Sequence, residues 1–227
     1  MSRPPLMITR PVSLILVLVA LVAVAMTGRS AMAAVPQDVD ALVKQLASIK
    51  TFAADFTQEL HDARGHVGRA TTGHFVLERP GRFYWRYETP YIQELIAADG
   101  VLWVYEPDLR QATRSPLTAT QQGAPIAILM GDQPVDEVFR IRALENEGGL
   151  AWFAMQPRGE TGDFREVLLG VDDQGVREMH FIDQLDQTTQ VSFDARVFNQ
   201  PVDASLFSFK PPDGVDVVEA REPPRLQ

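Results

Sequence analysis

Apolar residues recur at Val39, Leu42, Val43, Leu46 and Ile49, a spacing that predicts one amphipathic helix over residues 37–49. Beyond it the period changes to two. Phe52, Ala54 and Phe56 share one face of a strand, the turn residues DARG follow at 62–65, and a second strand runs towards Arg79, so a hairpin is expected. In that second strand Arg79 falls in register with Phe75 and Leu77, which places a cation on an apolar face. Packing alone gives it no reason to be there.

Strand patterns continue at 82–88, 92–98 and 101–106, the last two joined by Asp99-Gly100, a dipeptide suited to a tight hairpin turn. The run GAPIAILM at 123–130 interrupts this meander; Pro125 suits the first turn of a helix, and the near-uniform apolarity predicts burial on more than one side. Strands resume at 150–157 and in FREVLLGVD, VREMHFID and TQVSFDARVF, with turns at Asp173-Gln174-Gly175 and Asp186-Gln187. No internal repeat or linker divides the pattern. Short strands about ten residues apart with few helices predict a mainly β (α+β) fold, an antiparallel barrel or half-barrel.

The N-terminus changes the picture. Arg3 and Arg10 precede the apolar run VSLILVLVALVAVAM at 12–26, and Ala31-Met32-Ala33 offers a small-x-small cleavage site, so residues 1–33 are expected to be a signal peptide and residues 34–227 one exported domain. The run is short for a membrane span. The formal charge is −9, and removing the segment takes away Arg3, Arg10 and Arg29 but no acid, making the remainder more negative. A basic footprint for nucleic acid or anionic lipid is therefore missing, and a basic protein surface is the better match. There are 0 cysteines, which excludes disulfides, thiol catalysis and lipid attachment through an N-terminal cysteine.

Candidate chemistry is sparse. Of His61, His66, His74 and His180, three lie on the first hairpin, but their spacing is not that of a metal site. Acidic residues fall mainly in turns, and no nucleophile elbow, P-loop or dinucleotide fingerprint occurs. An enzyme is unsupported. Aromatic residues, in contrast, concentrate in one stretch: Phe75, Phe83, Tyr84, Trp85, Tyr87, Trp103 and Tyr105. Such residues either fill a barrel core or line a concave apolar site, and the pattern alone leaves both open.

The blocks FAADFTQEL, HFVLERPGRFYWRYETP, DGVLWVYEPDLRQA, APIAILM, WFAMQP and LFSFKPPDGVDV occur in an order and spacing that resembles the periplasmic outer-membrane lipoprotein carrier proteins, the LolA family. The resemblance implies an incomplete antiparallel β-barrel with a lid of short α-helices over an apolar cavity. It implies acylated lipoproteins as cargo, an inner-membrane lipoprotein-releasing ABC transporter as donor and an outer-membrane lipoprotein receptor as acceptor. A monomer in the periplasm, with no cofactor and no enzymatic step, is expected. The cavity wall is expected to include Phe75, Leu77, Phe83, Trp85, Tyr87, Leu95 and Trp103, although both faces of VLWVY are apolar. Leu42, Leu46, Ile126, Ile128, Leu129 and Met130 are expected in the lid. The arginine of the family's RP motif, which matches Arg79, is expected to latch the lid by donating to backbone carbonyls of the short lid segment 124–130. A carrier or sensor of another acylated ligand, such as a glycolipid, and a lipid-acting hydrolase are the alternatives.

Overall fold

The computed structural model describes residues 35–117, 133–159 and 164–220. The predicted signal segment and Ile126, Ile128, Leu129 and Met130 lie outside them. Helix α1 spans Val39–Ser48; Asp38 caps it, its carboxylate accepting from the Ala41 N–H at 2.8 Å. Leu42 and Leu46, one turn apart, form its buried stripe.

The strands β1 (Thr51–His61), β2 (Thr71–Glu78), β3 (Arg82–Thr89), β4 (Gln93–Ala98), β5 (Val101–Glu106) and β6 (Gln111–Pro116) form the first half of one sheet. After the single helical turn α2 (Val135–Val138) come β7 (Phe139–Ala143), β8 (Ala151–Pro157), β9 (Phe164–Val171), β10 (Val176–Asp183), β11 (Thr188–Phe198) and β12 (Asp216–Glu219). Their order across the sheet is β12-β6-β5-β4-β3-β2-β1-β11-β10-β9-β8-β7. β7 and β12 are its two edges, so the sheet stays open. Neighbours are antiparallel except β12 on β6, a parallel pair that the expectation of an all-antiparallel sheet did not include.

Turn chemistry sets the hairpins. Asp99 (φ 51°) and Gly100 (φ 74°) both adopt the left-handed conformation required between β4 and β5. In the first hairpin Asp62 accepts from the N–H groups of Arg64 and His66 at 2.8 and 2.9 Å, closing the DARG turn.

Because side chains alternate, register fixes which residues share a face. Phe52, Leu77, Phe83, Ala97 and Leu102 stand opposite one another across β1 to β5. Ala54, Phe75, Trp85, Leu95 and Val104 form the adjacent row, and Phe56, Gly73, Tyr87 and Gln93 the next. With Phe153, Met155, Leu169, Met179, Phe181 and Phe193 from the other half, the first two rows build the core that α1 covers through Leu42 and Leu46.

The other face carries Val76, Tyr84, Ile96 and Trp103, again paired in register. It is covered by the C-terminal segment. A 3-10 turn at Ala204–Phe207 lies against β3 and β4, Arg82 sits 5.4 Å over the Phe207 ring, and Phe209 lies 5.3 Å from Trp103.

Candidate functional site

The helix-covered face holds a contiguous cluster of buried apolar side chains, and its geometry follows from small residues set among large ones. Phe75 and Trp85 lie 4.9 Å apart, centroid to centroid, and each also meets a phenylalanine of β1: Phe52 at 5.6 Å from Phe75, Phe56 at 5.0 Å from Trp85. Tyr87 approaches Phe56 edge-on at 5.4 Å, above Gly73. A β-carbon at Gly73 would fall 1.9 Å from the Arg86 carbonyl oxygen and 2.8 Å from the Phe56 ring. Glycine is thus the residue that lets the two rings close over β2.

Of the residues expected to line a cavity, Phe75, Leu77, Phe83, Trp85, Tyr87 and Leu95 are brought together on this face. Trp103 is not. It is paired with Ile96, places its ring on the opposite face under Phe209, and has Arg114 stacked above it at 5.9 Å. The expectation for Trp103 is therefore corrected. Both faces of β5 are apolar because both are covered, one by the core and one by the C-terminal segment. Leu102 and Val104 take its place on the α1 side. The face is filled, with Phe75 and Leu77 at 0% exposure and Trp85 at 8%, so its side chains form a packed core to which α1 contributes Leu42 and Leu46.

Arg79 follows directly after β2. Its own N–H donates to the Lys50 carbonyl at 2.8 Å, and its guanidinium Nη1 donates to the Leu46 carbonyl at 2.6 Å. Leu46 lies in the last turn of α1, where carbonyls lack full intrahelical partners and carry the negative end of the helix dipole. A guanidinium at that position satisfies one such carbonyl. Beside it is a recess bordered by Val43, Leu46, Ala47, Ile49 and Val135. The expected contact of Arg79 with residues 124–130 falls outside the described residues.

Two polar groups on the aromatic face are withdrawn from water. The Trp85 indole N–H is sealed from solvent and has no hydrogen-bond acceptor among the described residues. The Tyr87 phenol has its pKa pushed up to about 12 by burial, so it is a neutral hydroxyl throughout the physiological range.

The four histidines each face a single carboxylate: His61 with Glu59, His66 with Asp62, His74 with Asp55 and His180 with Glu178. They are separate pairs, and among the described residues no group of three His, Asp or Glu is arranged to hold a metal ion. His74 and His180 alternate away from Phe75 and Phe181, so neither lies on the core face with a nucleophile.

An open, almost wholly antiparallel sheet whose apolar face is capped by a helix defines the class of half-barrel folds. The crystal structure of an uncharacterized conserved protein from Thermus thermophilus matches it with a TM-score of 0.52 over 80% of this chain and 98% of that one, at 11% identity. That likeness concerns the fold alone. The family described as "Outer membrane lipoprotein carrier protein LolA" matches residues 47–210. An outer-membrane lipoprotein carrier protein from Methylococcus capsulatus is 36% identical over 174 residues, 77% of this chain and 84% of that protein. One from Hahella chejuensis is 32% identical over 209 residues, 91% of this chain and 99% of that protein. The chain belongs to the LolA family.

Proposed function

We propose that this protein is a periplasmic chaperone that carries acylated lipoproteins from an inner-membrane ABC transporter to an outer-membrane receptor. It does so without enzymatic chemistry, by sheltering acyl chains on the face that α1 covers. The observation that carries the reading is the pairing of a contiguous apolar face with a helix tied down at its end by Arg79. Acyl chains in water cost about 0.8 kcal/mol per methylene, so a carrier must offer them apolar surface and yet let go. A helix held by a few hydrogen bonds meets both demands. The absence of cysteine supports the carrier over a receptor that is itself a lipoprotein.

The cargo chains take the place of Leu42 and Leu46 over Phe75, Leu77, Phe83, Trp85, Tyr87 and Leu95, while Ile126, Ile128, Leu129 and Met130 supply further lid surface. Closure after delivery returns α1 to Arg79. Extraction of a triacylated lipopeptide from vesicles by the purified exported domain tests the reading. A stable water-soluble complex is expected on gel filtration; lipopeptide that stays with the vesicles at every protein concentration would overturn it. Leu129→Glu should weaken the complex while leaving the fold cooperative.

A further inference from the structure

The Trp85 side chain stands in the middle row of the core face, between Phe75 and Leu95 on the neighbouring strands. The residue is only 8% exposed, and its N–H is buried without an acceptor among the described residues. Burying such a donor unpaired is unfavourable by a margin that a phenylalanine at the same place would avoid. The neighbouring ring of Tyr87, 6.0 Å away and stacked, adds a second neutral donor held in a desolvated site. Two aromatic donors thus stand side by side on a mainly apolar face, and the core gains nothing from the indole N–H.

Acyl chains alone have no use for a donor either. The groups that join them to a carrier molecule do: an ester or amide carbonyl is an acceptor with no donor of its own at the oxygen. We propose that Trp85 Nε1 is a specificity-determining donor that binds a fatty-acyl ester or amide carbonyl of the cargo, with the Tyr87 hydroxyl as its companion. The inference rests on the carrier reading and refines it. The face then recognises where the chains are attached as well as how apolar they are. The unpaired N–H of the empty protein becomes paired only when cargo is bound, which adds to the difference between loaded and empty states.

The test compares a diacylglyceryl-cysteine peptide with its dialkyl-ether counterpart, matched in chain length, for displacement of a fluorescent fatty-acyl probe. Wild-type protein is expected to prefer the ester by about fivefold to tenfold, the usual worth of one neutral hydrogen bond. Trp85→Phe should still fold cooperatively and lose the preference, ester and ether then displacing the probe alike. A diacyl phospholipid serves as a third competitor. Competition equal to that of the peptide assigns the carbonyl to acyl lipids in general, and weaker competition assigns it to lipoproteins. In the amide spectrum of 15N-tryptophan protein, the Trp85 indole N–H should shift downfield with ester and stay in place with ether. Equal binding of ester and ether by the wild type, or a preference retained by Trp85→Phe, overturns the proposal while leaving the carrier reading intact. If neither lipid displaces the probe, the carrier reading itself fails and the donor role fails with it.

Discussion

Replacing Arg79 with leucine should shift the balance between closed and open helix. Among the described residues, the side-chain bond lost is a charge-assisted one, 2.6 Å from Nη1 to the Leu46 carbonyl and partly shielded from water. Bonds of that kind contribute about 1.5–3 kcal/mol, and each 1.4 kcal/mol is about a factor of ten in an equilibrium constant. The closed-to-open ratio is therefore expected to fall between about tenfold and a hundredfold. The Leu46 carbonyl keeps the Ile49 N–H at 3.3 Å, and the β2 terminus keeps the main-chain bond from Arg79 to Lys50, so the fold itself should survive. Hydrogen exchange should show faster exchange at the amides of Val43 to Ser48, and in a reconstituted chain of transporter, carrier and receptor the variant should accept cargo but release it poorly. Arg79→Lys should lie between, since a single ammonium reaches fewer carbonyls than a planar fork. Unchanged exchange in α1 together with wild-type delivery would refute the latch.

Three further outcomes are expected. Gly73→Ala should destabilise the protein by the upper part of the overpacking range, about 2–3 kcal/mol in a denaturant melt, because the atom it meets at 1.9 Å is backbone and cannot turn aside. Asp172 is pulled in two directions: burial raises its pKa, but the Arg196 guanidinium at 2.6 Å and the Gln174 and Gly175 N–H groups lower it more, leaving it below the ordinary carboxylate value. Its stabilising effect is thus complete above the unfolded carboxyl range and lost as pH falls through the depressed folded value; Asp172→Asn should cost about 3 kcal/mol at neutral pH, and the gap to wild type should close only under acid. Tyr87, raised to about 12, has the opposite sign: wild type should lose on the order of 2 kcal/mol as pH rises from about 10 through that value, and Tyr87→Phe should not.

What could be read from the sequence depended on whether a strand has one covered face or two. β1 and β3 alternate, β2 does so except at Val76, which is buried on the other face, and the parity that grouped Phe75, Leu77, Phe83, Trp85 and Tyr87 is the parity of the sheet. β5 is apolar on both sides, so Trp103 could not be assigned until its pairing with Ile96 and its cover by Phe209 were known. The helix predicted at 37–49 is α1, trimmed to the residues between its Asp38 cap and Ile49. β12 left no signal: it is four residues long, exposed throughout, and held by parallel pairing with β6, more than a hundred residues earlier. Arg79 shows a different limit. Parity set the cation on the apolar side, but its acceptor is a backbone carbonyl on Leu46, and carbonyls are the one group every residue carries.

The same aromatic residues serve as core and, under the carrier reading, as binding wall, and the magnitudes allow both. Lifting α1 uncovers Leu42 and Leu46, which are 0% and 2% exposed, at a cost of about 3–6 kcal/mol for two leucines, and breaks the bonds of Arg79 to the Leu46 carbonyl and of Gln45 to the Asp172 carbonyl as well. Burying about eight methylenes offsets the leucines, less than one common fatty-acyl chain supplies, and about five more offset the two bonds. Cargo therefore opens the protein with free energy to spare, while an empty face closes on its own helix instead of remaining exposed to aggregate. Making the face roomier would strengthen binding and remove the competitor that helps delivery. For this reason a filled interior, which at first argues against a binding site, is what a carrier that must release its load requires.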